Sequence, residues 1–101
     1  MSVREVVRIK ALEGKGDECA QALETALGLQ AADPTCLEIL LERRIEDADE
    51  FLLHLVWTTV AAHEAWRAAE GPQFRAHLEN LIDGRPDLLG HYTELAWVKR
   101  G

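Results

Sequence analysis

The sequence contains no apolar run near the ~20 residues that a membrane-spanning helix requires, and its first residues, MSVREVV, do not have the pattern of a secretory signal peptide. A cytoplasmic protein is expected. Basic side chains are scarce: 11 Lys and Arg stand against 18 Asp and Glu, a formal charge of −7. A surface of that sign repels phosphate backbones and anionic lipid, which argues against nucleic-acid and membrane-surface partners. The only two cysteines, Cys19 and Cys36, lack a C-x-x-C spacing and so make no zinc site; they read as small buried apolar residues. The four histidines show no i, i+4 pairing, so a metal site built from His alone is not indicated either. The glycine-containing stretch EGKGDE lacks the phosphate-loop pattern, and there is no nucleotide-binding fingerprint.

The chain has 101 residues, 48% of them hydrophobic, and reads as one domain over 1–101 with no repeat, low-complexity tract or linker. VREVVRIKAL (3–12) is β-branched and predicts a strand. GKGD breaks it, Asp17 is placed to cap a helix, and Cys19, Leu23, Ala26 and Leu27 recur at helical spacing over 17–32. Asp33-Pro34 ends that helix, because the residue before proline avoids the α region. CLEILLERRI (36–45) and FLLHLVW (51–57) follow as strands joined by a short polar turn, an antiparallel hairpin. Thr58 or Thr59 caps a second helix that stops at Gly71, Pro72 opens a third over 72–83, and GHYTELAWVK (90–99) predicts a final strand. The order β-α-β-β-α-α-β is the split βαβ arrangement of a ferredoxin-like α+β fold.

The third predicted strand is apolar on both sides. Phe51, Leu53, Leu55 and Trp57 share one face; Leu52, His54 and Val56 share the other. Helices of a ferredoxin-like domain cover one face of the sheet only, so the second face needs another sheet. A homodimer with two sheets packed face to face is expected.

The strand-then-glycine start VVRIKALEGKG, the stretch ADPTCLEILLERRIEDADEF, Trp57 at the end of the third strand, the helical EAW and the later GPQFRAHLENL together resemble the antibiotic biosynthesis monooxygenase family of the dimeric α+β barrel superfamily. The resemblance covers nearly the whole chain. It implies a monooxygenase that needs no tightly bound metal or flavin and acts on an electron-rich phenol or hydroquinone. Where the family typically has a histidine, nine positions after the strand-ending tryptophan, this chain has Trp66. One branch of the superfamily degrades haem and has tryptophan at that position, paired with an iron-binding histidine on the following helix, for which His77 is the candidate. The third element of that branch, an asparagine on the first strand, is matched here by Val7. A non-catalytic dimeric module that binds a small hydrophobic molecule is the remaining alternative.

Several residues carry these readings. His54 interrupts an apolar strand, either as a satisfied core histidine or as a general base. His77 lies at the edge of the Phe74, Leu78 and Leu81 face, as a structural histidine or as a catalytic or haem-binding one. Trp66, Phe74 and Trp57 are ordinary core aromatics or the walls of a substrate pocket. Arg43 and Arg44 read as surface ion-pairing partners of the neighbouring acids or as dimer contacts. Tyr92 and Trp97 are five apart on the last predicted strand and so point to opposite faces. His63 and His91 are read as exposed or interfacial and receive no role.

Overall fold

The computed structural model describes residues 2–101. Its elements run β1 (Val3–Lys10), α1 (Gly16–Ala26), α2 (Gly28–Ala31), β2 (Cys36–Arg43), β3 (Glu50–Trp57), α3 (Val60–His77) and β4 (Asp87–Tyr92). The four strands form one antiparallel sheet in the order β2-β3-β1-β4, the α+β ferredoxin-like arrangement. No helix is long and apolar enough to cross a membrane.

The two-residue period of β3 divides it cleanly. Phe51, Leu53, Leu55 and Trp57 are buried, while Leu52, His54 and Val56 are only half-buried on the opposite face. The buried set meets Val7 and Ile9 of β1, Cys19, Leu23 and Ala26 of α1, Trp66 and Phe74 of α3, and Leu78 just beyond it. The helices therefore cover one face. The other carries the half-buried Val6, Leu52 and Val56 together with the exposed Leu40 and Tyr92.

Four local expectations change. Asp17 does not cap α1; it lies inside the first turn, and Asp49 of the β2–β3 turn instead accepts hydrogen bonds from the backbone N–H groups of Gly14 and Gly16, each at 3.0 Å. The first helical stretch divides at Leu27 into α1 and a single further turn, α2. Gly71 and Pro72 do not separate two helices. Gly71 takes no positive φ, and α3 runs through both, capped at its start by the Thr59 side chain. Proline cannot return an N–H to the carbonyl four residues back, so the Pro72 turn loses one helical bond without ending the helix. The last strand lies at Asp87–Tyr92 rather than 90–99, and Trp97 belongs to no regular element.

β4 places one residue with particular consequence. It pairs with β1 through a register shift between Val6 and Val7, with Gly90 at φ 155° where the shift occurs. Few residues other than glycine adopt that value. Beyond the shift His91 stands directly across from Glu5.

Candidate active site

Between the sheet and α3 lies a cavity of ≈ 560 Å³, within the usual range for small-molecule sites. Strands β1 and β3 supply Glu5, Val7, Leu53 and Leu55 to its floor. Helix α3 supplies His63, Trp66 and Phe74, which recur on one helical face, and α2 contributes Gln30. Trp66 and Phe74 meet edge to face, with ring centroids 6.1 Å apart and planes at 72°. Both are 7% exposed, so they offer the cavity an edge while packing into the core.

The polar end of the cavity is a connected chain of side chains. Glu5 is 8% exposed, and one carboxylate oxygen accepts the Trp57 indole N–H at 2.9 Å. The other lies 3.1 Å from Nε2 of His63, itself 2% exposed. The His63 ring stacks on Trp57, centroids 5.4 Å apart at 28°. Its Nδ1 lies 2.7 Å from Nε2 of His91. One of the two imidazoles donates to the other, and the tautomers decide which. The Trp57 N–H and the adjacent His63 ring thus hold a nearly buried carboxylate against the cavity, which offsets the cost of desolvating it.

Gln30 adds a second polar feature. Its side chain is 2% exposed, yet its Oε1 has no hydrogen-bond partner among the described residues. A buried acceptor without a donor typically costs ~1–3 kcal/mol, and Gln30 borders the cavity. A ligand hydroxyl or N–H entering there would remove that cost.

The residues singled out in the sequence separate into two groups. Trp66 and Phe74 line the cavity together. Trp57 is fully buried behind it and acts on the site through Glu5 rather than as a wall. His54 lies on the opposite face of the sheet, its Nε2 2.8 Å from Glu42. His77 is exposed at the end of α3 and does not border the cavity. That arrangement does not fit haem held by His77 against Trp66, since the two side chains do not share a cavity, and Val7 in the floor has no hydrogen bond to give. Arg43 pairs with Asp17 at 2.9 Å, and Arg44 with Glu46 and Glu50 at 3.3 and 3.2 Å.

Glu5, His63 and Gln30 were assigned no role from the sequence, although two of them leave a mark there. Alternation along β1 puts Glu5 on the face of Val3, Val7 and Ile9, and the helical period puts His63 on the face of Trp66. His91 leaves none, because only the shifted register of β4 brings it to Glu5.

A family model described as antibiotic biosynthesis monooxygenase matches residues 2–80. The chain belongs to that family. Among solved structures, the cofactor-independent oxygenase SnoaB from Streptomyces nogalater aligns with a TM-score of 0.81 at 19% identity, over 98% of each chain. A candidate antibiotic biosynthesis monooxygenase from Bordetella bronchiseptica reaches 0.84 at 21% identity, over 94% of this chain and 98% of that one. The protein PA3566 from Pseudomonas aeruginosa gives 0.74 at 22%, over 93% and 95%. At these identities the structures show a shared fold. No curated protein matches the sequence. The family is thus supported by the sequence over most of the chain, and its fold by whole-chain structural likeness.

Proposed function

We propose that this family member is a cofactor-independent monooxygenase acting on a small electron-rich aromatic alcohol, a phenol or hydroquinone, bound in the cavity between the sheet and α3. The observation that carries this reading is the pairing of two aromatic edges, Trp66 and Phe74, with a fixed buried carboxylate and an unpartnered amide acceptor, Gln30, around one cavity. Aromatic edges and faces hold a flat ring. The two acceptors receive hydrogen bonds from ring hydroxyls. The family's description and the SnoaB neighbour support oxygenase chemistry of this kind.

In this reading a ring hydroxyl donates to the Glu5 carboxylate, and the proton's charge is shared along His63 and His91. Loss of the proton makes the ring a better electron donor to dioxygen. For a phenol with a free para position, the balanced outcome is a quinone and water. One oxygen atom enters the ring, the other leaves as water, and the substrate supplies all four electrons. The nearly buried Trp66 and Phe74 shield one side of the charged intermediate from water.

A second copy of the chain completes the molecule, covering the sheet face that carries Val6, Leu40, Leu52 and Val56. The catalytic cavity lies on the other side of the sheet.

Oxygen uptake with a panel of naphthols and hydroquinones tests the proposal. The parent protein should consume about one dioxygen per phenol above the protein-free rate. Glu5→Gln should lower kcat/KM about a hundredfold, the scale of a lost proton acceptor, and Trp66→Ala should act mainly on KM. Uptake no faster than without protein, across the whole panel, would overturn it.

A further inference from the structure

The contact between His63 and His91 has a property that proton transfer alone does not use. Two imidazole nitrogens, from an α-helix and an edge strand 28 residues apart, face one another at 2.7 Å, a separation that calls for one shared proton. The Glu64 carboxylate lies close by: one oxygen of it, His63 Nδ1 or Nε2, and a ring nitrogen of His91 all fall within 4.8 Å of one another. We propose that His63, His91 and Glu64 form a binding site for a divalent first-row transition-metal ion, with Glu5 as the outer carboxylate that orients His63. The donor geometry supports this independently of whether the cavity carries out oxygenation.

A metal-binding histidine is usually held by a second group on its far nitrogen, which fixes ring orientation and leaves the near nitrogen's lone pair outward. Here the Glu5 carboxylate lies 3.1 Å from that nitrogen, and Trp57 donates to Glu5 in turn at 2.9 Å. The His63 ring has little room to turn away, because its side chain is 3% exposed and stacked on the indole. The nitrogen it presents therefore has one direction.

His91 supplies the adjustable half. It is partly exposed on β4, and moving its proton to Nδ1 frees Nε2 for coordination. At metal–nitrogen distances of about 2.0–2.1 Å, two tetrahedral imidazole ligands stand roughly 3.3 Å apart. The pair must open by about half an ångström, a small movement for a side chain on an edge strand. The ion would then lie off the line between the nitrogens, on the Glu64 side. It replaces the bridging proton, so the metal-bound form excludes the proton sharing proposed above for oxygenation, and coordination positions remain for water or for a ligand from the cavity, which His63 and Glu64 also border.

Two imidazoles and one carboxylate suit Zn²⁺, Ni²⁺ or Co²⁺, whereas Mg²⁺ and Ca²⁺ prefer all-oxygen sites. Cationic neighbours oppose a metal ion: Arg75 and Arg85 line the cavity, and the Arg67 guanidinium lies 3.7 Å from Glu64. Glu64 must exchange that exposed contact for the metal, so removing Arg67 should tighten binding.

Isothermal titration of the untagged protein with Zn²⁺ and Ni²⁺ tests the site. One ion per chain is expected, with no comparable binding of Mg²⁺. Affinity should fall about a hundredfold in His91→Ala and roughly tenfold or more in Glu5→Gln, the range seen for lost outer-shell partners. His54→Ala and His77→Ala should bind as the parent does, and Arg67→Ala should bind more tightly. Circular dichroism confirms folding of each variant, and His91→Asn provides a second test should His91→Ala unfold. Parent-like affinity in a folded His91 variant, or no binding by the folded parent at millimolar ion, overturns the proposal.

Discussion

Glu5 is one of 18 acidic side chains in the chain, and its residue type alone does not set it apart from the solvated ones. Its position does. Strand alternation turns it inward beside Val7, and there Trp57 gives it an N–H and the His63 ring lies 3.1 Å away. Burying a carboxylate is costly, and these two neighbours offset part of that cost. Gln30 is similar in kind: a buried amide oxygen with no partner among the described residues weakens the unliganded fold. The account therefore predicts opposite signs for one substitution. Gln30→Leu should raise unfolding free energy in urea by about 1 kcal/mol, by removing the unpaired acceptor, while weakening binding of a hydroquinone severalfold. A stability loss with unchanged ligand affinity would show that the amide serves the fold. At this scale the sequence was only partly legible. The aromatic walls Trp66 and Phe74 could be named from their types, whereas the roles of Glu5 and Gln30 depend on what lies opposite them.

The elements were more legible, because periodicity is local. The three strands through Trp57 and the position of the first helix follow from alternation and spacing. The errors arose where local signals were read without their tertiary context. Gly71-Pro72 looked like a helix end followed by a start, yet Trp66 and Phe74 both have to reach the same cavity, and one continuous helix brings them there. Asp17 looked like a cap, yet Asp49 arrives from a distant turn to take the free N–H groups. Two glycine substitutions separate these effects. Gly71→Ala should stabilise by less than about 0.5 kcal/mol, since the preference for helical alanine is partly offset by crowding of a Cβ against Pro72, and the new Cβ meets only side chains, Arg75 Nη1 at 3.2 Å and Arg67 Cγ at 3.6 Å. Gly16→Ala should destabilise by roughly 1–3 kcal/mol, the cost of overpacking, because its Cβ would lie 2.4 Å from the Ala48 carbonyl oxygen. Thermal melts of both variants measure the two signs.

For the molecule as a whole, the sheet has two different faces, and the sequence of β3 announced both. One is covered by helices and holds the cavity. The other leaves Leu40 49% and Tyr92 51% exposed, and beyond β4 the chain carries Leu95, Trp97 and Val98, which are more exposed still. Apolar surface of this extent on a small domain points to a partner. Light scattering at micromolar concentration should give the mass of two chains, and Leu40→Glu should shift it towards one. A parent protein of single-chain mass would remove the homodimer from the account without touching the cavity. The cavity itself has one decisive measurement: a crystal structure of the protein soaked without oxygen in a naphthohydroquinone. The account predicts a ring beside Trp66 and Phe74 with hydroxyls in hydrogen-bonding reach of Glu5 and Gln30. Ligand bound instead beside His54 or His77, with the cavity empty, would contradict it.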